Sequence, residues 1–476
     1  MPIKTPVTSA EVLAASKRLN FEIPSGHEDE YLALLAMTDK HCEIVLSQND
    51  YKPEPDLIKY PRSNIHLPKP GPDNPLGAWA WKAEAGDSVH STGKMLSGKT
   101  VVFKDTVCMA GVPLLFGTDA FTDYIPDVDA TVVTRVLENG GSILGKAACE
   151  NFSHGATSSS SPYGPVENPY APGFTTGGSS SGCGGLIGSG AVDMGIGGDQ
   201  GGSIRIPASF CGIVGLKPTF GLVPYTGVLS SDSGIDHIGP MARTVLETAM
   251  LLEATAGYDN IDDRQLGAPL PGNIPEYVHI VERGRAKGIT GMRVGVLKEA
   301  FENKDLAPAV EQLLKGAIDR FAALGAVVEE VSVPTEYGWV KWPTAYGKAM
   351  NLARRMRDEM DAIFERFDII VMPTCPQPPR RHIPAGSGPL GWAKHAPGTS
   401  SITAAANLSG HPSMSIPVGF APPMAEDIRG PEDASILLPV GMMITAKYWE
   451  EATILRAGDA WEQSVDWKTL RPLISA

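Results

Sequence analysis

The sequence predicts an α/β protein with a large mixed, mainly parallel β-sheet, helices covering both faces of the sheet, and an N-terminal helical appendage. Two observations support this prediction. After Gly98, short runs rich in β-branched residues alternate with segments of helical periodicity, as in strands joined by crossover helices. Before that point, two stretches carry apolar residues at helical spacing. No sequence period repeats along the chain, which excludes a solenoid.

The N-terminal region predicts two helices and an extended connector. Residues 10–19 and 28–46 have the apolar spacing of amphipathic helices. Prolines then recur up to Pro75, and a proline-rich segment favours an extended path over a surface. We therefore predict a helical segment with its connector in residues 1–75 and the main domain in residues 76–476.

The sequence of the main domain shows the alternation of strand and helix patterns from which the sheet is inferred. Its clearest segments are strands at 100–103, 143–147 and 327–333 and helices at 129–138 and 307–324. Two proline-rich stretches, 376–389 and 422–431, interrupt this pattern. We interpret them as surface excursions that wall a substrate cleft.

Composition and charge limit the possible partners and the compartment. The 476 residues are 42% hydrophobic and 20% charged, which suits a globular chain with a large core. A net charge of −14 without basic clusters argues against nucleic acid and anionic lipid as partners. The start of the chain does not resemble a secretory signal, and no long apolar run predicts a membrane span. These features predict a cytoplasmic protein.

The six cysteines predict free thiols, mostly in the core. They lie far apart and include no Cys-x-x-Cys pair, so the sequence predicts neither a zinc site nor dithiol chemistry. Catalysis by Cys183 or Cys211 is a minor alternative, because small buried cysteines are more common than nucleophilic ones.

A glycine- and serine-rich segment between Gly173 and Gly202 is the most unusual stretch of the chain. A flexible linker is the simplest interpretation, but interleaved apolar residues such as Leu186, Ile187 and Val192 favour a buried segment. Pro207 is tolerated only in a first helical turn, which places Ser203 at a helix N-terminus. Free N–H groups there predict an oxyanion hole formed by Gln200, Gly201, Gly202 and Ser203.

A serine nucleophile needs a base, and neither nearby histidine, His154 or His237, has a diagnostic spacing. Residues 178–182 also match the Gly-x-Ser-x-Gly elbow, which would make Ser180 the nucleophile, but the preceding residues do not predict a strand. Residues 93–100 match a phosphate-binding loop. The context is wrong there as well, because a polar stretch precedes the motif and a strand follows it.

Three motifs resemble the signature of the amidase signature family. A Gly-Gly-Ser-Ser segment carries Ser179, a Gly-Gly-Ser-Ile-Arg segment carries Ser203, and a Val-Phe-Lys-Asp strand end carries Lys104, all at the spacings of that family. The match continues through residues 210–218. Weaker similarity extends the resemblance from about Gly93 to the C-terminus.

The resemblance implies the amidase signature fold and a Ser–Ser–Lys triad. In that triad Lys104 is the resting base, Ser179 follows a cis peptide bond and relays a proton, and Ser203 attacks. It implies hydrolysis of carboxylic amide C–N bonds in small aliphatic or aromatic amides, with carbamates, anilides and esters as further substrates. It requires no metal ion or cofactor. Ser153 and His154 align with a family stretch that walls the acyl site, which makes them candidate substrate-binding residues.

The Asp-Gln-Gly-Gly-Ser form of the motif resembles a subgroup of stand-alone bacterial amidases. This resemblance implies a small-molecule amide or carbamate as substrate and a homodimer formed through the N-terminal helices. Three rival functions remain: the amidase subunit of a tRNA-dependent amidotransferase, a carbamate-selective urethanase, and a non-catalytic binding protein that keeps the fold.

Overall fold

The computed structural model describes residues 7–86, 92–120, 122–333, 345–388, 390–392 and 399–466. The chain divides into two compact units, one up to Pro53 and the other from Glu54 onward. Within the described residues, no helix combines the length and the apolar composition needed to span a bilayer.

The N-terminal unit contains the two predicted helices, α1 (Ser9–Arg18) and α2 (Glu28–Leu46). Helix α1 begins with a capping box in which Thr8 and Glu11 exchange hydrogen bonds. This reciprocal pair satisfies amide groups that a helix start leaves without partners. The sequence therefore predicted both helices correctly.

The boundary between the units lies about two dozen residues earlier than predicted from the position of Pro75, after Pro53. The reason is a strand inside the proline-rich stretch, β1 (Arg62–His66), which pairs antiparallel with β2 (Trp79–Ala85). Ladder hydrogen bonds join this part of the predicted connector to the main unit. The compact units therefore divide before the predicted connector ends.

A twelve-stranded mixed sheet forms the centre of the main unit. Its strands lie in the order β1-β2-β4-β3-β7-β9-β8-β13-β14-β12-β10-β11. The remaining members are β3 (Thr100–Lys104), β4 (Ser142–Ala147), β7 (Met194–Asp199), β8 (Val214–Lys217), β9 (His237–Ala242), β10 (Arg293–Leu297), β11 (Val327–Val331), β12 (Ile369–Pro373), β13 (Ser413–Ala421) and β14 (Leu438–Ala446). A separate ribbon pairs β5 (Glu167–Asn168) with β6 (Ala171–Thr175).

The sheet is mixed, as predicted, but the expectation that it is mainly parallel was wrong. Strand β3 is parallel to β4 and β7, and β10 is parallel to β11 and β12, whereas the other neighbours are antiparallel. A parallel pair requires a crossover connection, usually a helix. Such α-helices join β3 to β4 and β10 to β11, whereas the antiparallel strands β13 and β14 are joined by a segment with two short 3-10 helices, Ala425–Asp427 and Pro431–Ser435.

Helices flank the sheet and complete the core. They are α3 (Thr131–Glu138), α4 (Ser181–Ser189), α5 (Arg205–Phe210), α6 (Val245–Thr255), α7 (Tyr277–Lys287), α8 (Lys298–Phe301), α9 (Pro308–Ala323), α10 (Ala345–Phe364), α11 (Ala404–Ser409) and α12 (Glu451–Ser464). Helices α3 and α9 confirm the predictions at 129–138 and 307–324. The central strands are covered on both faces, and Val101, Val102 and Phe103 of β3 are fully buried.

Candidate active site

Strand β3 delivers Lys104 to the centre of the site. The side chain is fully buried, and its Nζ lies 2.8 Å from Ser179 Oγ, 2.8 Å from Ser153 Oγ and 3.3 Å from the Gly198 carbonyl oxygen. Because β3 pairs with β4 and β7 on its two sides, the position of its last residue is set by two ladders. The sheet therefore holds the amine against two hydroxyl groups.

Burial is the main cause of a lowered pKa for Lys104. Nearby acidic groups, which include Asp199 and Asp236, oppose this effect without reversing it. Taking an ammonium group out of water disfavours its charged form. The site thus favours the neutral amine, which is the form that can accept a proton.

Ser179 lies in a turn that requires glycine on both preceding residues. The Gly178–Ser179 peptide bond is cis. A Cβ atom on Gly178 would lie 2.8 Å from Glu150 Oε1, and Gly177 has a φ of +73°. This close packing explains the Gly-Gly-Ser-Ser motif, because larger residues would displace the loop that faces Ser179.

Ser203 lies two residues before α5 and is 8% exposed. Its carbonyl oxygen accepts a hydrogen bond of 3.3 Å from the Ser180 N–H, which brings the two serine-bearing segments together. Helix α5 begins at Arg205, so Pro207 falls in its first turn. The structure therefore places Lys104, Ser179 and the segment of Ser203 at one point of the fold.

A fully buried ion pair shapes the turn that carries Ser203. The Asp199 carboxylate accepts hydrogen bonds from Arg205 Nε (3.0 Å) and Nη2 (2.9 Å), and from the backbone N–H groups of Gly202 (2.7 Å) and Ile204 (3.1 Å). Burial alone would raise the pKa of Asp199, but the Arg205 guanidinium and the Asn407 amide hold it well below its usual range. The carboxylate therefore stays ionised and fixes the turn.

The predicted oxyanion hole has fewer available N–H donors than expected. The Gly202 N–H is already bonded to Asp199, so it is committed to the turn. The N–H groups of Gln200, Gly201 and Ser203 remain as candidate donors. Gly202 is still required by packing, because a Cβ atom there would lie 2.3 Å from Thr403 Oγ1.

The two candidate substrate-binding residues differ in placement. Ser153 is 5% exposed and contacts Lys104, Ser179 (3.1 Å) and Gln200 (3.3 Å) through its hydroxyl group. His154 is exposed. The structure thus brings Ser153, but not His154, into the buried network around Lys104.

Glu150 is a residue that the sequence analysis missed. Its buried carboxylate accepts hydrogen bonds from Thr157 N–H (2.6 Å), Ser158 N–H and the Ser160 hydroxyl, and its own N–H donates to the Ser179 carbonyl oxygen (3.2 Å). It therefore folds residues 150–160 around itself and packs them against Ser179. No local motif marks this role, because the partners are gathered only by the loop conformation.

The serine of the Gly-x-Ser-x-Gly motif does not have a free hydroxyl group. A strand, β6, precedes the motif, contrary to the sequence-based expectation. Ser180 is nevertheless fully buried, and its hydroxyl donates to the Gly198 carbonyl (3.0 Å) and accepts from the Gly198 N–H (3.2 Å). Ser180 is therefore a structural residue.

The local structure also argues against catalysis by Cys183, Cys211 or His237 and against a phosphate-binding loop at residues 93–100. Cys183 and Cys211 are fully buried, and burial raises the pKa of both thiols, that of Cys183 to about 12. A thiol that resists ionisation is a poor nucleophile. His237 is buried on β9, and burial lowers its pKa well below the usual value. The predicted strand β3 follows the phosphate-loop-like segment 93–100, where a nucleotide site would require a helix.

A narrow cleft lies beside α5, the helix that follows Ser203. Its lining includes Ala156, Phe210, Cys375, Pro376, Arg380 and Arg381. Both guanidinium groups are paired, Arg380 with Asp427 and Arg381 with Asp433. The first proline-rich excursion thus contributes to a cleft wall, although Pro389 at its end lies outside the described residues.

Comparison with known proteins identifies the family. The family model described as Amidase matches residues 76–341 and 338–455. A glutamyl-tRNA(Gln) amidotransferase subunit from Gloeobacter violaceus is 31% identical over 461 residues, which cover 83% of this chain and 89% of that protein. The protein of the same name from a Synechococcus strain is 30% identical over 443 residues, covering 79% and 85%.

A solved structure with the same protein name supports this assignment. The glutamyl-tRNA(Gln) amidotransferase subunit of Thermotoga maritima superposes with a TM-score of 0.67 at 27% identity, covering 77% of this chain and 83% of that one. These relatives contradict our expectation that the partners are limited to a small-molecule substrate and a second copy, without nucleic acid, because their names denote a subunit of an enzyme that acts on a tRNA. Net charge describes the whole chain and cannot exclude a partner that another subunit contacts. The chain belongs to the amidase family and is a C–N hydrolase of the amidase signature type.

Proposed function

We propose that this chain cleaves a carboxylic amide through an acyl-enzyme on Ser203. The observation that carries the proposal is the contact between the buried Lys104 amine and the Ser179 hydroxyl at 2.8 Å. A buried neutral amine is a general base, and a hydroxyl group in contact with it is a proton relay. The attack step and its oxyanion donors rest on the backbone bond from the Ser180 N–H to the Ser203 carbonyl oxygen, which joins the Ser203 segment to the segment of this pair.

The cycle follows from those roles. Ser203 Oγ attacks the amide carbonyl carbon while its proton passes through Ser179 to Lys104. The N–H groups of Gln200, Gly201 and Ser203 stabilise the oxyanion of the tetrahedral intermediate. The C–N bond then breaks, and the proton held by Lys104 returns through Ser179 to the leaving amine or ammonia. Water then attacks the acyl carbon and gives a proton to Lys104 through Ser179. The bond from the acyl carbon to Ser203 Oγ breaks, the proton returns to Ser203, and the carboxylic acid is released.

For the physiological role, the amide-cleaving subunit of an amidotransferase acting on glutamyl-tRNA(Gln) is the better supported of our two hypotheses. Its support is the similarity to subunits of that name over about four fifths of the chain. The other hypothesis is that the chain alone hydrolyses small aliphatic or aromatic amides, carbamates or esters. It rests on the Asp-Gln-Gly-Gly-Ser motif, which contains Gln200.

One experiment separates these roles. The tagged chain is isolated from its natural host and given a matched aromatic amide, carbamate and ester, with and without ATP and glutamyl-tRNA(Gln). Release of amine or ammonia is measured for the amide and the carbamate, and release of alcohol for the ester. The Ser203→Ala variant is the control in every assay. Amide cleavage that depends on co-purifying subunits and on the tRNA supports the amidotransferase role. Full turnover by the chain alone, unchanged by these additions, would contradict that role and would rank the three bonds.

A further inference from the structure

A chain of hydrogen bonds leads away from Lys104 through Ser153, whose hydroxyl group lies beside that of Ser179. Ser153 Oγ lies 2.8 Å from Lys104 Nζ and donates to Gln200 Oε1 at 3.3 Å. Gln200 Nε2 donates to the Tyr225 hydroxyl at 3.4 Å, and Tyr225 donates to the Leu229 carbonyl oxygen at 3.3 Å. The series connects the amine to the backbone through three side chains.

The direction of every bond in this series follows from its far end. The Leu229 carbonyl and the Asp236 carboxylate beside Tyr225 can only accept, so one of them takes the single proton of the Tyr225 hydroxyl. Tyr225 must then accept from Gln200, which turns the amide nitrogen toward Tyr225 and the amide oxygen toward Ser153. That oxygen takes the single proton of Ser153. Ser153 can therefore only accept from Lys104.

Counting the protons of the amine gives the consequence. A neutral lysine has two N–H bonds and one lone pair. The Gly198 carbonyl accepts one N–H, and Ser153 accepts the other. The lone pair is left for Ser179, whose hydroxyl lies closer to the amine (2.8 Å) than to Ser153 Oγ (3.1 Å). The amine is also the stronger base of these two acceptors.

The backbone around Ser153 supports a dedicated role. Phe152 and Ser153 have φ values of +50° and +59°, in the left-handed region that most residues avoid. Backbone strain of this kind persists where the surroundings impose it. Here Glu150 holds the loop, since its carbonyl oxygen accepts from the Ser153 N–H at 2.8 Å.

We propose that Ser153, Gln200 and Tyr225 are positioning residues that direct the lone pair of Lys104 toward Ser179. This inference rests on the proposed function, because it assigns a task only if Lys104 is the base that activates Ser203. It replaces the substrate-binding role expected for Ser153, and it adds a side-chain role to Gln200, whose N–H is a candidate oxyanion donor.

The test measures the rate at which an alkyl fluorophosphonate labels Ser203 as a function of pH. In this reaction the Ser203 Oγ–phosphorus bond forms, fluoride leaves, and the serine proton passes through Ser179 to Lys104. The readout needs no knowledge of the natural substrate. The variants are Ser153→Ala and Tyr225→Phe. Their matched controls are Ser159→Ala, in the same loop, and Tyr170→Phe, another buried tyrosine.

We expect Ser153→Ala to lower the plateau labelling rate about tenfold, since a misdirected base loses part of its general-base contribution. Its midpoint should move to lower pH by about one unit, because the ammonium loses an acceptor. The carboxylates of Asp199 and Asp236 and the buried thiols of Cys149 and Cys183 around it are unchanged. Tyr225→Phe keeps the ring that packs under Arg264, and the plateau should fall about threefold.

Each outcome decides between the two claims. If the native protein is not labelled at Ser203, the proposed function fails and this inference fails with it. If it is labelled, but Ser153→Ala and Tyr225→Phe match their controls in rate and midpoint, the inference is wrong while the proposed function stands. Should Ser153→Ala not fold, as judged by its thermal melting, Tyr225→Phe carries the test, because its change is remote from the strained loop.

Discussion

Asp199 and Arg205 form a fully buried ion pair directly behind the segment that carries Ser203. The guanidinium Nη2 lies 2.9 Å from Asp199 Oδ1, and the same carboxylate accepts the N–H groups on both sides of Ser203, those of Gly202 and Ile204. The serine is thus held by a charge that also stabilises the fold. Some substitutions in this region should therefore lower the free energy of unfolding, and others should lower turnover.

Asp199→Asn should destabilise the protein strongly, because it leaves the Arg205 cation buried without its anion. Breaking one side of a buried pair costs about 3–5 kcal/mol in the free energy of unfolding. Urea denaturation followed by circular dichroism measures this loss. The control is Glu311→Gln, which removes an exposed pair with Lys315 and should change stability by less than about 0.5 kcal/mol. Equal effects of both changes would contradict the role assigned to Asp199.

Lys104→Met should abolish turnover while the fold remains intact. The variant keeps the length of the side chain but has no base, so kcat for any cleaved amide should fall by at least about a thousandfold. The melting temperature should not fall, since the buried amine no longer has to be removed from water. Retained turnover in a folded Lys104→Met protein would rule out Lys104 as the base.

The pH dependence should follow the lowered pKa of Lys104. Amide cleavage should rise with pH through that lowered value as the amine loses its proton. Between the lowered pKa and the ordinary one, the unfolded chain binds more protons at this position than the folded chain does. Stability from this group therefore increases with pH in that window. Native protein should gain stability relative to Lys104→Met as pH rises through the window, and parallel stability curves would show that the pKa is not lowered.

Gly178→Ala should impair both packing and activity. The added Cβ atom would lie 2.8 Å from Glu150 Oε1, so the 150–160 loop or the turn before Ser179 must shift. Overpacking of this kind costs about 1–3 kcal/mol in the free energy of unfolding. Gly316→Ala is the control, because Gly316 lies in α9 and no atom is close to the position of an added Cβ. This substitution should stabilise the helix by about 0.5–1 kcal/mol. Unchanged activity in Gly178→Ala would contradict the link between that loop and the site.

Ser180→Ala should lower stability but not turnover, whereas Ser203→Ala should lower turnover but not stability. Among the described contacts the Ser180 hydroxyl bonds only to the Gly198 backbone, so its loss should cost about 1–2 kcal/mol in stability and leave turnover within about threefold of the native value. Ser203→Ala should remove turnover without a comparable loss of stability. Amide cleavage and thermal unfolding measured on both variants give the answer. Loss of turnover in Ser180→Ala but not in Ser203→Ala would identify Ser180, the serine of the Gly-x-Ser-x-Gly motif, as the nucleophile.

Local patterns were sufficient for the elements and for the three motif residues. Helices α1, α2, α3 and α9 and strand β3 lie close to their predicted positions, because apolar periodicity and capping residues act within one element. The pairing of those elements was predicted less well. The edge strand β1 was hidden in a proline-rich stretch, and antiparallel neighbours outnumber parallel ones, since strand order depends on contacts between distant parts of the chain.

By itself, the sequence determined the fold class, the family resemblance, and Lys104, Ser179 and Ser203 as the candidate catalytic residues. Only the tertiary structure decided what surrounds them: that Lys104 is buried against Ser153, that the Gly202 N–H is used by Asp199, and that Glu150 folds the loop beside Ser179. The physical reason is that burial and hydrogen bonding depend on groups far apart in the chain. A motif records which residues are present, whereas the protonation state and direction of each group are set by neighbours that only folding brings into contact.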